Sequence, residues 1–216
     1  IEDLIFGCAF PEGEQGLNVA RLIGFLAKLP QSVAGMTLNR FCGSSMQSIH
    51  VAAGAIQMGA GDVFLCAGVE SMSRVPMSGF NPMPNPALAE AYPQAYMSMG
   101  ITAENVARKY NISRKEQEAF AVLSQQKAAA AQAAGKFKDE IVPVTSPDGV
   151  VDNDGCIRGG TTAEKLAELK TAFEEKGTVT AGTSSPLTDG AAAVLVASED
   201  YARAHGLSIL ARVRAV

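Results

Sequence analysis

Four cysteines occur in the chain, at positions 8, 42, 66 and 156, and Cys42 sits where sulfur can be activated. An apolar run, 33–41, leads up to it. Gly43-Ser44-Ser45 follow and open a helix carrying Met46, Ile49, Ala53 and Ile56. A cysteine at the last position of a strand and the mouth of a helix has first-turn N–H groups pointing at its sulfur. The helix dipole favours its thiolate. Small residues at 43–45 leave room for an acyl group, and the same N–H groups can hold a developing oxyanion. The chemistry on offer is acyl transfer through a thioester. Inert packing is the competing reading, since free cysteine is among the most buried residue types.

Other chemistries find less support. The cysteine spacings contain no C-x-x-C pair, so neither zinc nor dithiol redox is expected, and free thiols fit a reducing compartment. Cys66 falls in an apolar strand and reads as inert; Cys8 and Cys156 carry no assignment. His50 reads as a core histidine on the helix behind Cys42, and His205 as a helix C-terminal residue. Net charge is −4 with no Lys/Arg-rich block, which argues against nucleic acid. No apolar run approaches the roughly 18–20 residues of a membrane span. The longest, 190–197, reads as a buried strand.

The elements that must position Cys42 follow from periodicity. Residues 4–8 form a short strand. Val19, Leu22, Ile23 and Leu26 mark one side of a helix stopped before Pro30. The run 62–69, continuous and flanked by glycine, predicts a strand covered on both faces. Strand–helix–strand with short connections implies a parallel sheet. From about Ser71 the chain turns irregular, with Met72, Met77, Met83, Met97 and Met99 among prolines. Two helices follow, one from near Thr102 and one capped by Ser113 with Glu116 in a capping box and ended at Gly135. Alanines at 128–131 predict close packing on one side. Residues 149–160 read as a turn-rich loop. Regular core structure is expected again at Thr178, with a strand over 191–197. Ser198 caps a short helix ended by Gly206. Ile209, Ala211, Val213 and Ala215 alternate with Arg212 and Arg214 as a half-exposed strand. The chain begins with Ile1 rather than Met and stops within that alternation, so it is expected to be a piece of something longer.

The segment Asn39-Arg40-Phe41-Cys42-Gly43-Ser44-Ser45-Met46-Gln47-Ser48, followed by Gly68-Val69-Glu70-Ser71-Met72-Ser73, closely resembles the acyl-enzyme signature of thiolases. The resemblance continues through Met99-Gly100-Ile101-Thr102-Ala103-Glu104-Asn105 and residues 137–143. It extends over Gly177-Thr178-Val179-Thr180-Ala181-Gly182 and Asp189-Gly190-Ala191-Ala192-Ala193, in the family's order and across essentially the whole chain. The stretch 39–46 is most similar to the thiolases of fatty-acid β-oxidation.

The resemblance implies an α/β fold, the N-terminal half of a layered αβαβα core, with an inserted and mostly helical loop domain. Residues 1–71 and 186–216 would form the core, and 72–185 the loop domain, which in the family binds coenzyme A. It implies Cys42 as the acylated nucleophile. Arg158 would lie at the adenine end of coenzyme A, Ser185 at the pantetheine arm and Met99 in the acyl pocket, with Phe173 and Ala181 making further contacts. On residue type alone, Arg158 and Lys165 also read as solvated loop charges, Ser185 as a turn residue and Met99 as packing. Ser98 stands where some thiolases have histidine, and Thr183-Ser184-Ser185-Pro186 replaces the usual Asn-Ala-Ser-Gly turn; both bear on substrate specificity.

The implied activity is cleavage of 3-oxoacyl-CoA by coenzyme A, or the reverse condensation, with coenzyme A and acyl-CoA as substrates and no permanently bound cofactor or metal. The implied assembly is a homodimer or homotetramer, with the 36–41 strand resembling the one that pairs across the dimer axis. The family's second half supplies a Gly-His-Pro histidine and a Cys-x-Gly-Gly-Gly cysteine, and neither motif occurs here. That half is therefore an expected partner, and this chain alone is expected to be inactive. A non-catalytic coenzyme-A-binding or assembly module is the alternative. A bacterial cytoplasmic setting is expected, with mitochondrial or peroxisomal targeting left open.

Overall fold

The computed structural model describes all 216 residues, in two compact units: Ile1–Met83 with Leu187–Val216, and Pro84–Pro186. In chain order the elements are β1 (Asp3–Gly7), α1 (Val19–Leu26), β2 (Ala34–Leu38), α2 (Ser44–Gln57), β3 (Val63–Glu70), α3 (Pro86–Ala91), α4 (Met99–Tyr110) and α5 (Arg114–Ala133). They continue with β4 (Val144–Ser146), β5 (Gly149–Val151), α6 (Ala163–Ala167), β6 (Gly190–Ala197) and α7 (Glu199–Ala204). No helix is long and apolar enough to cross a membrane.

The first unit is a four-stranded sheet in the order β2-β1-β3-β6. β2, β1 and β3 run parallel, as the strand–helix–strand pattern predicts, and β6 joins antiparallel on β3. Because side chains alternate across a strand, β1 feeds two cores. Leu4 and Phe6 pack with Ala20, Val33 and Ala67 on the α1 side. Ile5 packs with Ala52, Phe64 and Cys66 on the α2 side. Fully burying one such aliphatic side chain contributes roughly 1.5–3 kcal/mol, so the central pair β1 and β3 anchors the unit.

Three expectations are corrected. The run 190–197 is a strand, but it lies at the sheet edge and most of it is exposed, with Val194 and Leu195 each near half accessibility. An apolar run does not by itself distinguish an edge from a centre. Residues 209–215 have no regular structure, because no neighbouring strand accepts their backbone hydrogen bonds. Regular sheet resumes at Gly190 rather than Thr178; residues 178–180 belong to the second unit.

That second unit is helical with one small hairpin, β4–β5. Ser98 caps α4 and Ser113 caps α5, the latter through the full capping box with Glu116. Gly135 follows α5 at φ +68°, the left-handed position glycine tolerates. The alanine-rich half of α5 meets the 156–160 loop at Gly159, where an added Cβ would sit 3.0 Å from the Ala129 methyl. One buried carboxylate organises the unit. Glu104, 1% exposed, accepts hydrogen bonds from the N–H groups of Thr178 (2.8 Å) and Val179 (2.8 Å) and from the Thr178 hydroxyl (3.0 Å). Burial opposes its charge, but these donors outweigh burial and hold the carboxyl below its ordinary 4.5.

Candidate active site

Strand β2 ends at Leu38, four residues before Cys42, so the cysteine is not the last residue of a strand as expected. It lies instead on a sharp turn between β2 and α2. Phe41, immediately before it, has φ +45°, a region that non-glycine residues seldom occupy. The turn is held by side chains. Asn39 Oδ1 accepts from the Phe41 N–H (2.7 Å), and Ser44 Oγ accepts from the Arg40 N–H (2.9 Å) while donating to the Phe41 carbonyl (2.6 Å). Strain stored at a turn of this kind persists only where the surroundings over-determine it.

Gly43 is the N-cap of α2, and the helix's backbone ladder opens with Gln47 N–H donating to the Gly43 carbonyl (2.9 Å). The Gly43 and Ser44 N–H groups donate to the Arg40 and Phe41 carbonyls of the turn (both 3.0 Å), which leaves the Ser45 and Met46 N–H groups at the positive end of the helix dipole. Cys42 stands just ahead of them and is exposed. The Phe41 ring next to it, 64% exposed, lies 6.2 Å from the Phe10 ring. An exposed thiol at a helix start, with small residues after it, can attack a carbonyl and place the resulting oxyanion near backbone donors.

The other thiols of this unit are different. Cys8 and Cys66 are buried. Burial, reinforced by the nearby Glu70 carboxylate, pushes the Cys8 thiol up to about 11, and burial pushes Cys66 to about 11 as well. Neither is a thiolate at neutral pH. His50 is half-buried on α2.

Sequence reasoning missed three features that seat Cys42. Gly7, at the end of β1, and its register partner Gly68 in β3 lie under the first turn of α2. Glu70, at the end of β3, accepts from the N–H groups of Ala9 (2.8 Å) and Phe10 (3.2 Å) and from Gln15 Nε2 (2.6 Å). Asp189 accepts from the Ser73 N–H (2.8 Å) and from the Ser71 hydroxyl (3.4 Å), tying the segment after β3 to the residue before β6. The available signal was a glycine or an acid at each strand end.

In the second unit, a groove of about 640 Å³ runs between α5 and the 182–186 segment, lined by Phe120, Ser124, Cys156, Gly182 and Ser185 among others. That volume is in the range of small-molecule sites. Ser185 is exposed at its edge. The exposed Arg158 is in the loop bordering α5, where its N–H donates to Gln125 Oε1 (2.7 Å) and its guanidinium to the Cys156 carbonyl (3.0 Å). Ala181 opens the short 3-10 turn Ala181–Thr183 beside the same groove. Phe173 packs on Gly100 at the start of α4, where an added Cβ would collide with its ring, and the adjacent Met99 is 69% exposed. Thus Ser185 lines the groove, and Arg158 and Ala181 adjoin its lining residues Ile157 and Gly182 in the chain, whereas Met99 and Phe173 gather at the N-terminus of α4. Cys42 belongs to the first unit.

Comparison with known proteins supplies the context. The family model described as thiolase, N-terminal domain, matches residues 1–200. The chain is 52% identical over 227 residues to a 3-ketoacyl-CoA thiolase of Bacillus subtilis, covering 99% of the chain and 58% of that protein. It is 47% identical over 223 residues to a 3-ketoacyl-CoA thiolase of Marinobacter nauticus, covering 100% of the chain and 56% of that protein. Among solved structures it is similar to the dimeric peroxisomal thiolase of Saccharomyces cerevisiae, with TM-score 0.88, 35% identity, and 97% of this chain and 55% of that one covered. It is also similar to human mitochondrial 3-ketoacyl-CoA thiolase in complex with CoA, with TM-score 0.84, 34% identity, and 96% and 55% covered. The chain therefore spans somewhat more than half the length of these relatives.

Proposed function

The chain belongs to the thiolase family, with that family's α/β fold, and from this we propose that the protein it comes from cleaves 3-oxoacyl-CoA through an acyl-Cys42 intermediate. The observation that carries the reading is the exposed thiol of Cys42 on a locked turn at the start of α2. Its thiol gives up its proton to a base in the second half of the protein, the sulfur attacks the 3-oxo carbon, and collapse of the adduct breaks the C2–C3 bond. The two-carbon fragment leaves as the enolate of acetyl-CoA, which the thioester makes an accessible leaving group. That enolate takes a proton from a donor in the second half of the protein. Coenzyme A then attacks the Cys42 thioester and carries off the shortened acyl group; its thiol proton restores the donor, and Cys42 regains its own from the base. The path is reversible, so condensation uses the same residues.

Residues 72–185 are the proposed coenzyme-A-binding loop domain. Arg158 would pair with the adenine end, Ser185 with the pantetheine arm, Phe173 and Ala181 with the cofactor along its length, and Met99 with the acyl chain. The coenzyme A in the human relative's structure and the groove beside Ser185 support this. Dimerisation is proposed in line with the dimeric yeast relative, and a bacterial cytoplasmic setting in line with the sources of the sequence relatives. The 216 residues alone are proposed to bind coenzyme A without turnover.

The test is incubation of the full-length protein with a 3-oxoacyl-CoA and coenzyme A. Acetyl-CoA should form, and Cys42→Ser should abolish it. No acetyl-CoA from the wild type, or undiminished activity in Cys42→Ser, rejects the reading.

A further inference from the structure

The position of Cys42 is set by residue 41, and residue 41 is reached by a hydrogen-bonded chain that starts 29 residues further on, at Glu70. The Glu70 carboxylate binds the Ala9 and Phe10 N–H groups and the Gln15 amide. Gln15, 3% exposed, also donates to the Phe10 carbonyl (2.7 Å) and accepts from the Ser71 N–H (2.8 Å), so the carboxylate is itself held in place. These bonds fix the backbone that leaves β1. The Ala9 carbonyl then accepts from Asn39 Nδ2 (2.9 Å), and the other end of that amide, Oδ1, accepts from the Phe41 N–H (2.7 Å). Asn39 thus uses a donor and an acceptor in opposite directions, one gripping the fixed segment and one gripping the turn.

We infer that Glu70 and Asn39 are positioning residues for Cys42, acting through Ala9 to keep Phe41 in its left-handed conformation and so to hold the sulfur ahead of α2. Neither touches the sulfur in this arrangement. Ser44 restrains the same turn from the helix side, but it is carried on α2 and moves with it. Asn39 is the restraint anchored on the segment that leaves β1. The inference rests on Cys42 being the nucleophile, as proposed above, and it adds two residues that a pattern of catalytic side chains does not contain.

The experiment uses the full-length protein with Asn39→Leu, Asn39→Asp and Glu70→Gln. Leucine removes both bonds at similar size. Aspartate keeps an oxygen for the Phe41 N–H but has no donor for the Ala9 carbonyl, so it breaks the link to the segment that Glu70 holds. Each variant is checked for folding by circular dichroism, then read two ways: iodoacetamide alkylation of Cys42 followed by peptide mass spectrometry, and steady-state thiolysis. Asn39→Leu and Glu70→Gln should slow Cys42 alkylation and lower kcat by roughly 10- to 100-fold, the scale of a small misplacement of a reacting group, while KM for coenzyme A stays unchanged. Asn39→Asp should lose nearly as much, because it severs the same link to Ala9. Folded Asn39→Leu and Glu70→Gln proteins with wild-type alkylation and kcat overturn the inference, as does a folded Asn39→Asp that keeps wild-type alkylation and kcat. If Asn39→Leu does not fold, Glu70→Gln and Asn39→Asp decide by the same readouts. A wild type that alkylates readily yet fails to thiolyse rejects the proposed function, and the alkylation rates still judge the positioning role.

Discussion

Gly7 and Gly68 face each other across the parallel β1–β3 pair, and the first turn of α2 rests on both. A Cβ on Gly7 would press into the Ser44 carbonyl carbon and the Ser45 nitrogen, 2.8 Å from the Ser44 oxygen; one on Gly68 would lie 2.9 Å from the Ser45 Cβ. Bare strand backbone therefore brings the helix start, and Cys42 with it, closer to the sheet than any side chain would allow.

The two glycines should differ in their tolerance of alanine. At position 7 the obstacle is backbone, which no rotamer change relieves, so Gly7→Ala should cost about 1–3 kcal/mol and slow acylation of Cys42. At position 68 the nearest atoms belong to the Ser45 side chain, which can turn away in part, and the loss should be smaller. Thermal melts and the acyl mass on the Cys42 peptide check both. A wild-type Gly7→Ala protein would mean that the close seating is unimportant.

Gly54 provides the opposite case. It lies inside α2, exposed, with nothing within 4 Å of an added Cβ. Gly54→Ala should stabilise the helix by about 0.5–1 kcal/mol through reduced freedom of the unfolded chain, and leave acylation unchanged. A lowered melting temperature would contradict the open surroundings seen there.

Thiol reactivity should sort by burial. At neutral pH iodoacetamide should label the exposed Cys42 and spare the buried Cys8 and Cys66 until the protein is unfolded. Because both buried thiols sit near 11 when folded against an ordinary 9.0, the folded state keeps protons that the unfolded chain releases. Their contribution to stability is complete below about pH 9 and disappears as pH rises toward 11. Denaturant melts across that window should show a shallower alkaline decline in Cys8→Ala/Cys66→Ala than in the wild type. Labelling of Cys8 as fast as Cys42 in the native state would refute the burial argument.

Glu104 should give an acid-side dependence of the opposite sign. Its folded carboxyl lies below 4.5, so its contribution is present above that pH and is lost as pH falls through the folded value. Glu104→Gln should destabilise the protein by about 2 kcal/mol at pH 7, the scale of hydrogen bonds to a charged group, and should flatten the acid limb of a stability–pH curve. Gly177→Ala, whose methyl would collide with the Glu104 carboxylate, should do comparable damage. Urea midpoints between pH 3 and 7 measure both, and parallel curves for Glu104→Gln and wild type would count against the assignment.

What could be seen in the sequence was what local chemistry decides. Ser113 with Glu116, Ser198, Gly135 and Gly206 mark helix ends where they stand, because a cap is made within a few residues, whereas α4 starts at Met99 under the Ser98 cap rather than near Thr102. Cys42 was visible from its motif and from the small residues after it. The turn that presents it was not, since Phe41 is neither glycine nor asparagine and its φ is imposed from Asn39 and Ser44. Long-range choices were equally hidden. That 190–197 takes an outer place beside β3, and that 209–215 finds no strand to pair with, depends on partners far away in the chain. The Glu104 motif and the 177–182 motif gave no hint that one carboxylate joins them across 74 residues.

The grip of Asp189 on Ser71 and Ser73 has a bearing on how such a chain can diversify. It pins the exit and the re-entry of the intervening segment side by side on the sheet, so the ends of that excursion are already closed. Once closed, a flexible excursion of twice the length adds only about 0.6 kcal/mol of ring-closure entropy. Residues can then be inserted, deleted or replaced between the two serines and the aspartate, while the framework carrying the sulfur keeps its register.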